Sequence, residues 1–379
     1  MATTYPRMIS SDSHIFESTD MWRKALGNKF GDDIPHELTE YRGKKGKFFF
    51  TGAQVLTVGG IDSEHKQTGL HLSGYQPDKR IEFQRQANVL AEVLYPSYGL
   101  IIMQSKHFTA LRASAEVYND WLRDFFAYDR KRLLGVAMIP MGDDVDWGVK
   151  ELERSLKAGY SGICVNCRNS EGTKPYRDKI YDKFWARCAE AEIPVTLHSI
   201  TGRVPDPLHP HNEEELAEAP RYALDIYNEI QGTLATDFIF GKIYDRHPKL
   251  KIVVSEFEIS WLPNFSFRVD MIASGFGKRI TLPKLDLKKP SDYLKERTWY
   301  GWIDDERGAY AVKEVGADRI MWGSDFPHVR SVGVNAHSSV GRMLKDLTAA
   351  EQEQIVGGIC ADLYKINPAE LTWSKQAAE

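Results

Sequence analysis

Apolar residues in this chain gather into short runs separated by longer segments of helical period. Eight runs, at about 7–13, 91–96, 133–140, 161–166, 194–198, 251–256, 298–302 and 319–323, have the length and composition of buried strands. Between them, residues 108–127 carry apolar positions at helical spacing. Asp143 to Lys157 opens with acidic residues and closes with a lysine before Gly159, and Tyr181 to Glu192 is amphipathic and stops at Pro194. Strand and helix in alternation predict a mainly parallel sheet of βα units. Eight units favour an α/β fold, a (β/α)8 TIM barrel, with residues 1–379 as a single domain. The first run leads to Asp12-Ser-His14 and not to a Gly-x-Gly-x-x-Gly turn, so an open dinucleotide-binding sheet has no support.

Two stretches interrupt the rhythm. Residues 18–80 are long, rich in Gly and Lys and poor in periodic apolar structure, which predicts an insertion after the first strand acting as a lid or oligomer arm. Residues 199–220, with Pro205, Pro207 and Pro210 beside an acidic cluster, read as a second long loop at the same mouth.

Four of the runs end in metal-binding side chains: Met8-Ile-Ser-Ser-Asp12-Ser-His14, Pro194-Val-Thr-Leu-His198, Lys251-Ile-Val-Val-Ser-Glu256 and Ile320-Met-Trp-Gly-Ser-Asp325-Phe-Pro-His328. Polar groups where a buried strand stops must be paired or ligated. In a barrel of this kind the strand C-termini converge on one mouth, so Asp12, His14, His198 and Asp325 are candidate ligands of one divalent cation, with Glu17, Glu256 and His328 as further donors. Imidazoles and carboxylates without a thiolate suit zinc, manganese or iron. Glu256 could instead serve as a base if burial raised its pKa, or bind a second metal.

Composition narrows the partners. A chain that is 42% hydrophobic and 27% charged with net charge -4 gives no electrostatic reason to expect nucleic acid or an anionic membrane, which leaves a small-molecule substrate. No run approaches a membrane span and the first residues lack a signal-peptide core, so the expected location is cytoplasmic. Four cysteines are too few to staple the chain, and Cys164-Val-Asn-Cys167 reads as part of a buried strand rather than half of a zinc site.

The segments Ser10-Ser-Asp-Ser-His-Ile-Phe-Glu17, Leu197-His198, Arg246-His-Pro-Lys-Leu-Lys-Ile252 and, most specifically, Trp322-Gly-Ser-Asp-Phe-Pro-His328 resemble the amidohydrolase-2 branch of the amidohydrolase superfamily. This branch includes aminocarboxymuconate-semialdehyde decarboxylase and resorcylate-type decarboxylases. The resemblance implies that Asp12 and His14 stand at the family's metal-binding pair, that His198 is a third ligand and that Asp325 is a ligand or general base. Two positions depart from the family pattern: Asp12 stands where histidine is common, and Ser255-Glu256-Phe257-Glu258 replaces the catalytic histidine in a His-Gly-Gly type turn.

The leading expectation is a metal-dependent hydrolase or non-oxidative decarboxylase of a small cyclic or aromatic carboxylate or acyl compound. Asp325, Glu256 and His328 would be its catalytic groups, and Arg203 and Arg330 would bind substrate. Two alternatives stand beside it. One is a dinuclear iron or manganese-iron monooxygenase served by an external reductase, and the other is a non-catalytic partner subunit. A homo- or hetero-oligomer is expected from the resemblance.

Overall fold

A computed structural model of the chain describes residue 5 and residues 7–58, 70–170, 172–202, 213–275, 279, 281–328, 331 and 333–373. The first barrel strand is β1 (Ile9–Ile15), and an insertion follows that carries three strands of its own, β2 (His36–Tyr41), β3 (Lys44–Phe50) and β4 (Val55–Thr57). The chain then lays down β5 (Ala91–Pro96), β6 (Leu133–Met138), β7 (Gly162–Asn166), β8 (Val195–His198), β9 (Ile252–Ser255), β10 (Thr298–Trp302) and β11 (Ile320–Trp322). β1 and β5 to β11 form one eight-stranded parallel sheet in chain order, the TIM barrel expected from the apolar runs. Every residue of β1, β5, β6, β7, β8, β9 and β11 is buried, which is why the strands other than β1 read as largely apolar runs rather than alternating ones, whereas β1 buries Ser10, Ser11, Asp12, Ser13 and His14.

The barrel helices follow from local signals. Asp144 caps the helix Val145–Ala158 by accepting from the Trp147 N–H at 3.1 Å, and Gly159 ends it in the left-handed conformation. Helices Phe108–Phe126 and Asp182–Ala191 lie within a residue or two of their predicted ranges.

Seven junctions between neighbouring strands are hydrogen-bonded ladders. The eighth, where β11 meets β1, is closed just beyond the strands: the Asp325 N–H donates to the Asp12 carbonyl at 2.9 Å and the His14 N–H to the Phe326 carbonyl at 2.7 Å. Ser324 N–H donates to Ser10 Oγ at 2.9 Å, and Ser13 Oγ shares a hydrogen with Ser324 Oγ at 2.8 Å. Behind this seam lies Arg80, fully buried, gripping Glu92 at 2.6 and 3.1 Å and donating to the carbonyls of His14 at 2.8 Å and Phe326 at 3.2 Å. Its guanidinium also faces the Phe326 ring, itself stacked on Phe83.

The insertion is more ordered than its composition suggests. It contains the helix Met21–Phe30, the antiparallel sheet β2–β3–β4 and the helix Pro77–Ala87. Phe49 buries its ring between Trp22 and Tyr98, and Gly74 packs so closely on Phe16 and Pro327 that a Cβ there would collide with the Phe16 ring at 2.6 Å. The insertion thereby rests on segments that follow β1, β5 and β11. The expected loop over 199–220 is also partly helical, because the helix Glu213–Thr233 starts inside it and continues through Pro220. No described helix is long and apolar enough to cross a membrane.

Candidate metal centre

β1 supplies two donors. A bulge between Ser10 and Ser13 adds a residue relative to β5, and bulges of this kind re-aim side chains. Asp12 and His14 consequently face one buried space, with His14 Nε2 3.4 Å from Asp12 Oδ1. His198 ends β8 on a rung with Asn166 and Ser255, and its Nε2 lies 3.5 Å from the same Asp12 oxygen. Asp325, held in a left-handed backbone at φ 54°, brings Oδ1 to 3.4 Å from His14 Nε2.

Hydrogen bonds fix which nitrogens point inward. His14 Nδ1 donates to the Pro96 carbonyl at 2.8 Å, and His198 Nδ1 faces the Ser199 carbonyl at 3.2 Å and Glu256 Oε2 at 3.3 Å. Since these partners are acceptors, each Nδ1 carries the proton and each Nε2 presents a lone pair to the centre. Both Asp12 oxygens and the Nε2 atoms of His14 and His198 are buried without a hydrogen-bond partner. Leaving such atoms unsatisfied is costly, and a cation among them removes the cost. Donor separations of 3.4–3.5 Å suit a divalent metal with bonds of about 2.1 Å.

Charge points the same way. Asp12 is held well below the usual carboxylate range, because His198 and His14 outweigh its burial. Burial, reinforced by the nearby His328 charge, pushes His14 down to about 4. His198 goes the other way, to about 9, since the Asp12 and Glu256 carboxylates beside it overcome burial. Burial and the neighbouring Asp325 charge lift Glu256 to about 7. Without an ion the Asp12 charge is balanced by a proton on His198; a dication among these donors would take that proton's place and free the His198 Nε2 lone pair.

The structure brings Asp12, His14 and His198 into one group of close donors and Asp325 into a second with His14 and His328, while Glu17 and Glu256 have other partners. Glu17 enters neither group of mutually close donors. Its buried carboxylate instead accepts from the N–H groups of Ser97, Tyr98 and Gly99 at 3.3, 3.0 and 2.9 Å, capping the turn after β5. Burial raises it to about 7. Glu256 also stays outside those groups, bonded to Ser199 Oγ at 2.8 Å and set against the outer nitrogen of His198. His328 stands near His14 and Asp325 and stacks on the His14 ring at 3.9 Å, but its Nδ1 is paired with Asp325 at 2.8 Å and its Nε2 with Ser97 Oγ at 3.0 Å. The two donor groups share His14, whose Nδ1 is already engaged, so both draw on one Nε2 and the set fits a single cation. Arg203 and Arg330 lie outside the described residues.

Sequence reasoning passed over Ser97, Ser199, Arg80 and Glu92. A signal existed for Glu92, a charged residue in the buried run Ala91–Pro96, but its partner Arg80 lies in the unread insertion. The four cysteines are buried and form no disulfide, and burial pushes the Cys164 and Cys167 thiols far up.

Comparison with known proteins bears on the family and the fold. A family model described as amidohydrolase, that of the amidohydrolase-2 family, matches residues 70–366. A γ-resorcylate decarboxylase of Polaromonas sp. is 26% identical over 268 residues, covering 68% of this chain and 78% of that enzyme. A second, of Rhizobium sp., is 27% identical over 222 residues, covering 55% of this chain and 64% of that enzyme, a little under two thirds of its length. Among solved structures, an amidohydrolase of Mycobacterium avium subsp. paratuberculosis matches with a TM-score of 0.76 at 20% identity, over 96% of this chain and 100% of the other. A dihydroxybenzoic acid decarboxylase of Polaromonas sp., with bound manganese and the inhibitor 2-nitroresorcinol, matches with a TM-score of 0.67 at 20% identity, over 97% and 99%. At these identities the structures speak for the fold, and the family model, which spans well over half of the chain, settles the assignment: the protein belongs to the amidohydrolase-2 family.

Proposed function

We propose that the protein is a metal-dependent, non-oxidative decarboxylase of a hydroxylated aromatic carboxylate. The observation that carries this reading is the set of orphaned donors on Asp12, His14 and His198, closed by Asp325, in a chain whose relatives are γ-resorcylate decarboxylases. A divalent cation held by these four residues would supply Lewis acidity, drawing charge from the substrate's oxygens as the carboxylate carbon leaves.

The chain's own groups account for the proton. Around the centre Glu256 and His328 expose the most side chain, 15% and 17% against 5% for Asp325, so substrate meets them first. A proton on His328 passes through its 2.8 Å hydrogen bond to Asp325, and from that carboxyl to the ring carbon. The bond from ring to carboxylate breaks, its electron pair stays with the ring carbon, the proton closes a C–H bond there, and carbon dioxide departs. Ser97, on His328 Nε2, fixes the ring orientation that this transfer requires. Phe16, fully buried within 6.2 Å of the His328 ring, packs against Tyr75 and Tyr98 and gives that side of the site an apolar backing.

The test is to load the protein with manganese or zinc, supply a panel of 2-hydroxybenzoates and measure carbon dioxide release in deuterated water. One deuterium at the vacated carbon is expected, and Asp325→Asn should lower kcat by about 100-fold or more. Hydrolysis of amides or esters without carbon dioxide release, or oxygen consumption dependent on an added reductase, would overturn the reading.

A further inference from the structure

The turn that leads the chain out of β8 is strained. Ile200, two positions past His198, has φ 68°. A β-branched side chain in the left-handed region crowds its own backbone, and it persists there only where the surroundings over-determine it. This conformation bears on the metal centre, because the peptide between Ser199 and Ile200 carries the carbonyl that His198 Nδ1 faces at 3.2 Å. Turning that peptide would remove one of the two acceptors that orient the ring, so whatever holds Ile200 also holds His198.

Two buried carboxamides hold the turn. Asn166, at the end of β7, donates from Nδ2 to the Thr201 carbonyl at 2.7 Å and to the Met103 carbonyl at 2.8 Å. Thr201 in turn donates from Oγ1 to the His198 carbonyl at 2.7 Å. His198 and Thr201 are thus tied to each other, and the residues between them take the conformation that the gap imposes. Gln104, just past the helix Tyr98–Ile102 that follows β5, meets the strained residue itself, donating from Nε2 to the Ile200 carbonyl. Since a carbonyl can only accept, the Gln104 amide must turn Nε2 toward it and present Oε1 on the other side. There Gln54 Nε2 donates to Gln104 Oε1 at 3.1 Å. Gln54 belongs to the insertion and sits in the tight turn between β3 and β4, where its N–H donates to Thr51 Oγ1 at 3.0 Å and its carbonyl accepts from the Thr51 N–H at 2.9 Å.

We propose that Gln104 is a positioning residue for His198, and that Gln54 brings the insertion after β1 into the same clasp. The insertion then belongs to the metal centre, because two successive hydrogen bonds carry its hold from the β3–β4 turn to a peptide that would otherwise relax. The proposal rests on the metal centre assigned above and is independent of the reaction run there.

Manganese titration of the metal-free full chain tests this, with the visible absorption of bound cobalt(II) as a second readout of ligand geometry. Gln104→Leu should weaken manganese binding by about fivefold and shift the cobalt bands. Gln104→Glu, nearly equal in size, should do the same, since a carboxylate sets an oxygen against the Ile200 carbonyl. Gln54→Leu should weaken binding by about threefold. The decisive variant is Ile200→Asn, because asparagine tolerates the left-handed region. On that background Gln104→Leu should cost less than about twofold, the turn no longer needing to be held. If Gln104→Leu fails to fold, the same comparison runs on Gln54→Leu, whose loss should likewise vanish beside Ile200→Asn. Equal losses on the two backgrounds would show that the amides contribute packing alone and would overturn the proposal. Wild-type affinity and cobalt bands in Gln104→Leu and Gln104→Glu would overturn it too. A wild type that binds neither ion would overturn the metal centre and the clasp together, whereas the reaction is judged separately, by carbon dioxide release.

Discussion

The two walls of the metal centre are built by different physics. On one side, His198 stands on a regular ladder, its rung shared with Asn166 and Ser255, above the aliphatic strands Val195–His198 and Ile252–Ser255. On the other, Asp12, His14 and Asp325 flank a junction that has no ladder of its own and is held by serine hydroxyls, two main-chain hydrogen bonds and a buried Arg80–Glu92 pair. The ladder wall draws on apolar burial, which is forgiving of small changes in shape. The seam wall draws on polar groups that must all be satisfied together. The contrast teaches that ligand placement in this barrel is most sensitive where the sheet is least regular.

The largest break is expected at the seam. Arg80→Leu would strand Glu92 in the core and release the carbonyls of His14 and Phe326, at a cost of about 3–5 kcal/mol, seen as a lower thermal midpoint. Because those carbonyls belong to or adjoin the cradle, manganese affinity measured on the metal-free protein should fall by about tenfold or more as well. An unchanged affinity would show that the seam serves folding alone.

A smaller, pH-dependent effect is expected from Glu256, which lies between the ladder wall and the mouth. Its carboxyl, at about 7, keeps its proton below that pH and turns anionic as pH rises through it, so an anionic substrate is repelled on the alkaline side. KM for a carboxylate substrate should rise with pH, with the step at or below about 7 once a cation is bound. In Glu256→Gln the step should disappear from the KM profile while the metal content persists.

The smallest effect belongs to the ladder itself. Ile252→Val removes one buried methylene from β9 and should cost about 0.5–1.5 kcal/mol in chemical denaturation, leaving manganese affinity unchanged. If it moved affinity as far as Arg80→Leu, the distinction between the walls would collapse.

The eight barrel strands were legible because strands buried on both faces must be apolar throughout, and β1 betrayed its site by breaking that rule with Asp12 and His14. The small sheet of the insertion was not. Its β2–β3 hairpin turns through Arg42 and Gly43 at φ 51° and 74°, where arginine stands at the position that usually signals such a turn with asparagine. Only Phe49 of β3 is fully covered, so no alternation marks the strand. The helix beginning at Glu213 was hidden by the prolines before and within it. At the site, residue type identified the donors and could not say which were already engaged. Glu17 looks as good a ligand as Asp12 until Ser97, Tyr98 and Gly99, about eighty positions away, turn their amides toward it.

Closure of the barrel between its first and last strands also sets an order of events in synthesis. Ser10 and Ser324, whose side chains meet at the seam, are separated by 314 positions, so the cradle assembles only when nearly all of the chain has emerged. Asp12 and His14 leave the ribosome long before Asp325 and await it through the folding of the intervening strands. A nascent chain therefore carries three of the four donors, Asp12, His14 and His198, well before Asp325 emerges to complete the set.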